Sequence, residues 1–404
     1  MDLKNRAFTL AMLFLFLLFS FPFTFIEANR PFFNLTTTPL NNNRPSSIVL
    51  PIRGTLGRYN VSLNIGDTPK SFELEFDTAG DLSWIECDAP CVNCKTPIDK
   101  RYKPHKNIVA CADPLCAPVP KPRNFKCVKP NDPCNYFVKY ADKDSTSGVI
   151  VQDNINLKFT NNVVKKTSIV FGCGYDQTYD ADFSSGILGL GNGKSSILSQ
   201  LHNLGLIANV VGHCLREKEG FIFLGDEFNS APGIVWAPML PSSQRSLYTI
   251  GPANILFNEK PTSVTGLELI FDTGSTYTYL NDKFYQPVFD LVTNGLPKTW
   301  TEIVRDESLP ICWKGPKPFR TIGYVRFYFK PLALTFTSSK NVQFELPPES
   351  YLSISEGKVC LGILKSSANN LRQLNIIGDI FFLDKLVVYD NEKKRIGWVS
   401  RKCA

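Results

Sequence analysis

Short segments in which apolar and polar residues alternate run through most of the chain beyond residue 56. Examples are RYNVSLNIG, SFELEF and GVIVQDNINLKF, which are separated by Gly, Pro, Asn and Asp. A period of two is typical of half-buried β-strands, and clusters of turn residues end them. Two segments best show apolar residues at helical spacing after a polar first residue. They are KSSILSQLHNLG at 194–205 and DKFYQPVFDLVTN at 282–294. The pattern predicts a mainly β protein with few helices.

The first 28 residues differ from the rest of the chain. The positive charges of MDLKNR precede an apolar run that fills residues 7–26, and a small residue, Ala28, follows it. This order predicts a secretory signal peptide at 1–28. A retained membrane anchor is the alternative, because the run is about as long as a bilayer requires; Pro22 and the Ala28 site favour cleavage. We therefore predict a secretory-pathway protein, extracellular or vacuolar, without stable membrane association.

The length of the chain indicates more than one core. At 404 residues it is long enough for two packed lobes. The stretch GIVWAPMLPSSQRS at 233–246 has the proline and serine content of a connector between halves. We predict a short leader or pro-segment at 29–56, an N-terminal lobe at 57–235 with a cysteine-rich insertion, and a C-terminal lobe at 236–404.

Composition and charge restrict the classes of function. Apolar residues make up 43% of the chain and aromatic residues 12%, as in a globular protein. The formal net charge is +7, and the charges are spread along the chain rather than gathered into one basic block. Nucleic-acid binding is therefore disfavoured.

The cysteines predict disulfides rather than a metal site. There are twelve, and seven of them lie between Cys87 and Cys134. The pair Cys91-x-x-Cys94 has no second copy and no histidine at ligand spacing, so zinc is disfavoured and no metal or cofactor is expected. In an oxidising compartment we expect all twelve to be paired, and the odd count in the cluster requires at least one bridge to a cysteine outside it. We interpret His213, next to Cys214, as a structural residue close to a disulfide.

Two Asn-x-Ser/Thr sequons predict glycosylation. They begin at Asn34 and Asn60. Asn34 is favoured because Asn60 lies in a predicted strand.

One short motif occurs twice and carries the candidate chemistry. FDTAGDLSW at 76–84 and FDTGSTYTYL at 271–280 each place an aspartate after an apolar run, at Asp77 and Asp272. About 110 residues after each aspartate comes an apolar-apolar-Gly sequence, ending at Gly189 and Gly378. A single Asp-Thr-Gly is an ordinary turn. Two copies with matched strands and matched partners indicate a pair of carboxylates instead.

These motifs resemble the pepsin-like aspartic proteases, and more closely their plant nucellin-like branch, from about residue 48 to the C-terminus. The resemblance includes the segment Tyr140–Gly148, the Ile376–Asp379 signature and the CDAPCVNC insertion. It implies a mainly β, bilobed fold with pseudo-twofold repeated lobes and a central cleft, acting as a monomer on polypeptide substrates. It further implies catalytic Asp77 and Asp272, supporting Thr78, Thr273, Gly274 and Ser275, and a flap bearing Tyr140 that is hydrogen-bonded to Trp84.

The chemistry of such a pair explains why two carboxylates are needed. Two carboxyl groups held about 3 Å apart cannot both ionise, so they share one proton. A water between them loses a proton to the charged carboxylate as it attacks the peptide carbonyl. The protonated carboxyl supplies a hydrogen bond and then a proton.

The first turn departs from the family pattern. Where the family has Gly and then usually Ser, this chain has Ala79 and Gly80. The methyl group of Ala79 must fit where the two loops meet. Gly80 lacks the hydroxyl that in relatives bonds the outer oxygen of the first aspartate, and such a bond holds a carboxylate pKa down. We expect the pair Ala79→Gly and Gly80→Ser to raise turnover and to shift the acid limb of activity to lower pH.

Two functions follow from these residues. The first is a secreted aspartic endopeptidase working at acid pH, whose activity the altered turn tempers. The second is a catalytically weak or inactive relative that binds proteins or glycans, as in the plant xylanase inhibitors, which share the fold.

Overall fold

The computed structural model describes residues 46–403, except residues 68, 142, 179–183, 242–246, 304–308, 310 and 372. The predicted signal peptide and Asn34 lie outside the described residues, as does the larger part of the predicted leader.

Strands form most of the regular structure, as their alternating patterns predict. In chain order they are β1 (Ile48–Pro51), β2 (Asn60–Ile65), β3 (Lys70–Asp77), β4 (Trp84–Glu86), β5 (Asn135–Lys139), β6 (Ser145–Lys158), β7 (Val164–Gln177), β8 (Gly186–Gly189), β9 (Val210–Leu215), β10 (Gly220–Leu224), β11 (Val235–Pro238), β12 (Thr249–Phe257), β13 (Lys260–Phe271), β14 (Thr278–Leu280), β15 (Thr301–Ile303), β16 (Cys312–Lys314), β17 (Leu332–Phe336), β18 (Ser339–Leu346), β19 (Leu352–Ser355), β20 (Lys358–Leu361), β21 (Ile363–Lys365), β22 (Ile376–Ile377), β23 (Lys385–Asp390) and β24 (Arg395–Ser400).

Three α-helices lie in the described part of the chain. They are α1 (Ile197–Asn203), α2 (Asp282–Thr293) and α3 (Asp379–Phe382). The first two are the predicted helices, and side chains cap them: Ser196 accepts from the Ser199 N–H and Asn281 from the Lys283 N–H. The helix α3 was not predicted from the sequence, because four residues are too few to show a helical period.

Two seven-stranded sheets carry the two copies of the motif. The first-lobe sheet has the order β2-β3-β8-β4-β7-β6-β5, and the second-lobe sheet has the order β18-β17-β12-β13-β22-β14-β21. In the first, β8 lies parallel to β3 and antiparallel to β4; in the second, β22 lies parallel to β13 and antiparallel to β14. The sequence repeat is therefore a repeat of strand pairing. The mainly β, two-lobed fold predicted from the sequence is confirmed.

A six-stranded interlobe sheet joins the halves in the order β1-β10-β9-β23-β24-β11. Its first strand, Ile48–Pro51, lies within the range 29–56 that was predicted as leader, and its residues pair with Phe221–Leu224. Its last strand, Val235–Pro238, lies in the stretch interpreted as a connector, and it pairs with β24. Both segments are therefore structural parts of the folded body.

Aromatic side chains fill the core under the second copy of the motif. Phe271 is fully buried and lies 5.4 Å from Phe382, 5.7 Å from Phe344 and 6.4 Å from Trp398 between ring centroids. Trp398 belongs to the interlobe sheet, so this cluster joins that sheet to the second lobe. It holds the end of β13, where Asp272 follows.

All twelve cysteines form disulfides, as predicted. One bridge leaves the cysteine-rich cluster to reach β7, as the odd count required, and a further bridge ties β9 to the C-terminal end of the described chain. The six pairs are Cys87–Cys173, Cys91–Cys94, Cys111–Cys127, Cys116–Cys134, Cys214–Cys403 and Cys312–Cys360.

Candidate active site

Each aspartate of the repeat lies where a buried strand ends and a tight turn begins. Asp77 is the last residue of β3, and Asp272 directly follows β13. The Asp77 carbonyl accepts the Leu190 N–H at 2.8 Å, and the Asp272 N–H donates to the Ile377 carbonyl at 3.0 Å. The downstream apolar-apolar-Gly segment of each repeat, at β8 and β22, therefore fixes the backbone of the aspartate. Both side chains are buried.

The two threonines join the turns in a symmetrical pattern. The Thr78 N–H donates to Thr273 Oγ1 at 3.1 Å, and the Thr273 N–H donates to Thr78 Oγ1 at 3.0 Å. Each hydroxyl then donates to a carbonyl across the interface, Thr78 to Phe271 at 3.1 Å and Thr273 to Phe76 at 3.0 Å. These four buried bonds hold the aspartates of the two lobes against each other.

The two carboxyl groups receive different kinds of hydrogen bonds. Asp272 accepts the Gly274 N–H at Oδ1 and the Ser275 hydroxyl at Oδ2, each at 2.8 Å. Asp77 accepts the Ala79 N–H at Oδ1, at 2.7 Å, and position 80 offers it no side-chain donor. Because hydrogen bonds to the charged form stabilise it, this difference favours the ionised form of Asp272 and the protonated form of Asp77.

Burial and a neighbouring charge keep a proton on the pair. The pKa of Asp77 is raised well above its ordinary value, first by burial and then by the charge of Asp272, and a hydrogen bond between the two carboxyl groups adds to the effect. The backbone amides of Ala79 and Gly80 act in the opposite direction. The Gly80 amide thus compensates in part for the missing serine hydroxyl. These effects favour a state in which the two carboxyl groups share one proton.

Space around the turns explains the two glycines. A Cβ at Gly274 would lie 2.9 Å from the Asp77 carboxyl carbon and 3.1 Å from Asp272 Oδ1, so no larger residue fits between the carboxyl groups without movement. A Cβ at Gly80 would lie 2.4 Å from Asp77 Oδ2. The Asp77 carboxyl therefore occupies the space that a serine would need. This changes the sequence-based expectation, because Gly80→Ser must displace Asp77 before its hydroxyl can bond it.

A third carboxyl group lies beside the pair. Asp379 begins α3, is 2% exposed, and donates its backbone N–H to the Ser275 carbonyl at 2.8 Å. Its pKa is raised well above the ordinary value by burial and then by the charge of Asp272. Within the described residues, Asp379 Oδ1 has no hydrogen-bond partner. This residue ends the Ile376–Asp379 signature, and no role was predicted for it from the sequence.

The predicted flap is a hairpin that reaches the same cleft. The strands β5 and β6 pair, and the Tyr140 N–H donates to the Asp144 carbonyl at 2.8 Å across the turn. The indole N–H of Trp84 donates to the Tyr140 hydroxyl at 2.7 Å, which is the contact that the resemblance implied. Tyr140, Asp77 and Asp272 line one cleft of about 810 Å³. Apolar side chains also line it, among them Val138, Leu247, Ile270, Leu371 and Leu374.

A buried polar network under the threonines was not predicted from the sequence. His213 Nε2 lies 3.0 Å from the Tyr389 hydroxyl, and that hydroxyl hydrogen-bonds the Thr78 side chain. The neighbouring Tyr248 hydroxyl donates to the Leu190 carbonyl at 3.0 Å. Burial lowers the pKa of His213 to about 3. Tyr389 of the interlobe sheet therefore supports the bonds between the threonines, and Tyr248, just before β12, supports the backbone partner of Asp77.

The remaining predicted sites are distributed as follows. Asn60 begins β2 and is half-buried, and glycosylation there stays a prediction, as it does at Asn34. Across the described ranges, no group of three or more His, Cys, Asp or Glu side chains has the spacing of a metal site. In the same ranges, no helix is long and apolar enough to cross a membrane.

Comparisons with known proteins agree with this geometry. Residues 59–226 match the family model described as "Xylanase inhibitor N-terminal", and residues 248–400 match "Xylanase inhibitor C-terminal". A protein of Oryza sativa subsp. indica described as an aspartic proteinase is 39% identical over 380 residues, covering 89% of this chain and 92% of the relative. Aspartic proteinase 39 of Arabidopsis thaliana is 24% identical over 413 residues, covering 94% and 82%.

Solved structures share the fold at lower identity. The crystal structure of basic 7S globulin from soybean has a TM-score of 0.70 and 16% identity, covering 89% of this chain and 96% of that chain. A structure titled "Crystal structure of edgp" has a TM-score of 0.69 and 20% identity, covering 89% and 95%.

Proposed function

The chain belongs to the pepsin-like aspartic proteinases of plants, and from this premise we propose that it is an aspartic endopeptidase of the secretory pathway. The observation that carries the proposal is the pair Asp77 and Asp272, joined by the threonine bridge and sharing a proton under the Tyr140 flap. Peptide-bond hydrolysis needs an acid and a base on opposite sides of one water, and this pair has both.

The unequal hydrogen bonding assigns the two roles. Asp272 is the base, because the Gly274 amide and the Ser275 hydroxyl both stabilise its charge. Asp77 is the acid, because burial and the charge of Asp272 raise its pKa. The absence of a serine hydroxyl at position 80 thus favours Asp77 as the proton donor and Asp272 as the proton acceptor.

The reaction then proceeds in two balanced steps. Asp272 takes a proton from the water, whose oxygen bonds to the substrate carbonyl carbon, while Asp77 gives its proton to the carbonyl oxygen. The tetrahedral diol next returns one hydroxyl proton to Asp77 as the C–N bond breaks, and the proton held by Asp272 passes to the leaving nitrogen. One water is consumed, and the proton is again on Asp77.

The cleft and flap supply binding. An extended peptide lying in the cleft meets apolar side chains such as Val138, Leu247 and Ile270, so apolar side chains beside the cleaved bond are expected. The hydrogen bond from Trp84 to Tyr140 holds the flap residue at the cleft and reduces the access of solvent.

The secretory location is supported by the cysteines. All twelve are disulfide-bonded, which is typical of proteins that fold in oxidising compartments. Extracellular and vacuolar destinations both agree with this feature.

A second candidate function is a binding or inhibitor protein. The Ala79–Gly80 turn favours it, since these residues replace the family pattern at one of the two aspartates. The description of both matched family models as xylanase inhibitor lobes also favours it.

One experiment separates the two candidates. The purified protein is incubated with an unfolded protein substrate from pH 3 to 7, with and without the transition-state mimic pepstatin. The endopeptidase predicts cleavage at acid pH that pepstatin stops. An intact substrate at every pH, together with no pepstatin binding by calorimetry, supports the binding protein instead.

A further inference from the structure

A segment of the second lobe, residues 314–330, has an unusual composition. Its sequence KGPKPFRTIGYVRFYFK contains five basic residues, five aromatic residues and no Asp, Glu, Asn or Gln. It begins at the last residue of β16, ends just before β17, and contains neither a residue of the dyad nor one of the flap. The proposed proteolysis therefore leaves this segment unexplained.

The fold holds the segment in a fixed shape and exposes its aromatic rings. Val325 and Phe329 are buried and anchor it, and the Tyr328 N–H donates to the Val325 carbonyl at 2.9 Å. Tyr324, next to the first anchor, is 65% exposed. Phe327 and Tyr328, between the two anchors, are 74% and 48% exposed. Exposed aromatic groups that are adjacent and rigidly held are uncommon on a monomer surface and indicate a binding site.

Exposed basic residues lie in the same segment as these rings. Four of the five basic residues have no ion pair in the part of the chain that the structure describes. The fifth, Arg326, lies 3.7 Å from Glu349, and this pair is weak because both groups are exposed. The Arg326 guanidinium also lies 5.4 Å from the Phe327 ring centroid. The five exposed basic residues are Lys314, Lys317, Arg320, Arg326 and Lys330.

We propose that residues 314–330 bind an acidic polysaccharide, a polymer of uronic acid units. Each unit carries a carboxylate, which Lys and Arg bind, and a pyranose ring whose C–H faces pack against aromatic rings. The repeat of the polymer engages several such contacts at once, so weak single contacts add up. A neutral glycan fits less well, because the segment has no carboxylate or amide side chain to bind sugar hydroxyls.

An anionic membrane is the other partner that aromatic and basic residues suit. Anionic lipids, however, are concentrated in the cytoplasmic leaflet, which a secretory protein does not face. This choice uses the proposed secretory location and is independent of the dyad, so loss of proteolysis and loss of polysaccharide binding are separate results.

The test measures binding of the full chain to polygalacturonate by affinity electrophoresis at about 50 mM salt, where surface charges are weakly screened. Neutral dextran and phosphatidylserine vesicles are the comparison ligands. One variant combines Tyr324→Ser with Phe327→Ser, and another combines Lys317→Gln with Arg320→Gln. The matched control is Lys158→Gln with Lys165→Gln, two exposed lysines of the first lobe that give the same change of charge.

Wild type is expected to bind polygalacturonate and not dextran. Each segment variant should weaken this binding by about tenfold or more, equal to about 1.4 kcal/mol. The control pair should change it by less than about twofold, and Asp272→Asn should bind like wild type. The proposal is overturned if the aromatic variant binds as tightly as wild type, since the attraction is then ion exchange alone. Equal binding to dextran, or tighter binding to the vesicles, also overturns it.

Discussion

Replacing His213 by phenylalanine is expected to make the protein less stable at neutral pH and more stable in acid. His213 is buried in the interlobe sheet, with its ring centroid 4.8 Å from Phe382, so a phenyl ring suits its surroundings. Within the described residues, Nδ1 has no hydrogen-bond partner and Nε2 contacts only the neutral Tyr389 hydroxyl. No carboxylate therefore offsets a charge on this ring.

The magnitude follows from the pKa of His213. Burial lowers it from the ordinary 6.5 to about 3, so between these values the unfolded chain binds a proton that the folded chain does not. The folded state accordingly loses stability as the pH falls from 6.5 to 3. Between pH 7 and pH 3.5 the loss is about 4 kcal/mol. His213→Phe removes this loss and gives up one neutral hydrogen bond, about 1 kcal/mol at any pH. The free energies of unfolding of wild type and His213→Phe should therefore be equal at about pH 6.

The assay is denaturant unfolding with the disulfides intact, followed by tryptophan fluorescence at pH 7 and pH 3.5. Both proteins carry Asp272→Asn, so that self-digestion in acid does not interfere. His105→Gln is the control, because it removes an exposed histidine. If the stability difference between wild type and His213→Phe is the same at both pH values, His213 does not titrate in this window and the reasoning is wrong.

Substitutions at three further positions test the environment of the dyad. Ser275→Ala removes a hydrogen bond to the charged carboxylate of Asp272, worth about 1.5–3 kcal/mol. The acid limb of the pH–rate profile should therefore move to higher pH by about one to two units. An unchanged limb contradicts the role of Asp272 as base. Asp379→Asn removes a carboxyl group that is neutral in acid and repels the dyad once ionised. It should leave the rate at low pH unchanged and move the loss of activity toward neutrality to lower pH by up to about one unit, because the dyad then gives up its shared proton more easily; a profile identical to wild type would refute this. Gly80→Ser and Gly80→Ala both displace Asp77, but only serine adds a donor. Because the hydroxyl stabilises the ionised form of Asp77, the serine variant should lose activity toward neutrality at lower pH than the alanine variant, and coinciding profiles would show that the hydroxyl does not reach Asp77.

Much of the fold was predictable because local sequence patterns determine it. Alternation predicted the strands, and the spacing from Asp77 to Gly189 and from Asp272 to Gly378 predicted the paired turns, which lie in equivalent strand registers. The segment Ile48–Pro51 was assigned to the leader because a strand of four residues has too little alternation to stand out from its surroundings. Its strand character comes from pairing with β10, which is 169 or more residues away in the chain.

The candidate site was predictable in its members but not in its asymmetry. The two Asp-Thr turns, Tyr140 and Trp84 belong to motifs that are visible in the chain. That the Asp77 carboxyl occupies the space beside Gly80 depends on side-chain placement, which no spacing reports. His213 and Tyr389 meet only because two distant strands pair in the interlobe sheet. A lone histidine next to a cysteine gives no signal of that contact.

The most direct test of the dyad is the rate at which Asp77→Asn and Asp272→Asn hydrolyse a peptide whose fluorescence is released on cleavage, at the pH where wild type is fastest. Near-ultraviolet circular dichroism and a count of six disulfides establish that each variant is folded. Because an amide at either position ends the sharing of a proton, each variant is predicted to lose about 10⁴-fold or more in turnover. A folded Asp272→Asn protein that cleaves the peptide at the wild-type rate would contradict the account.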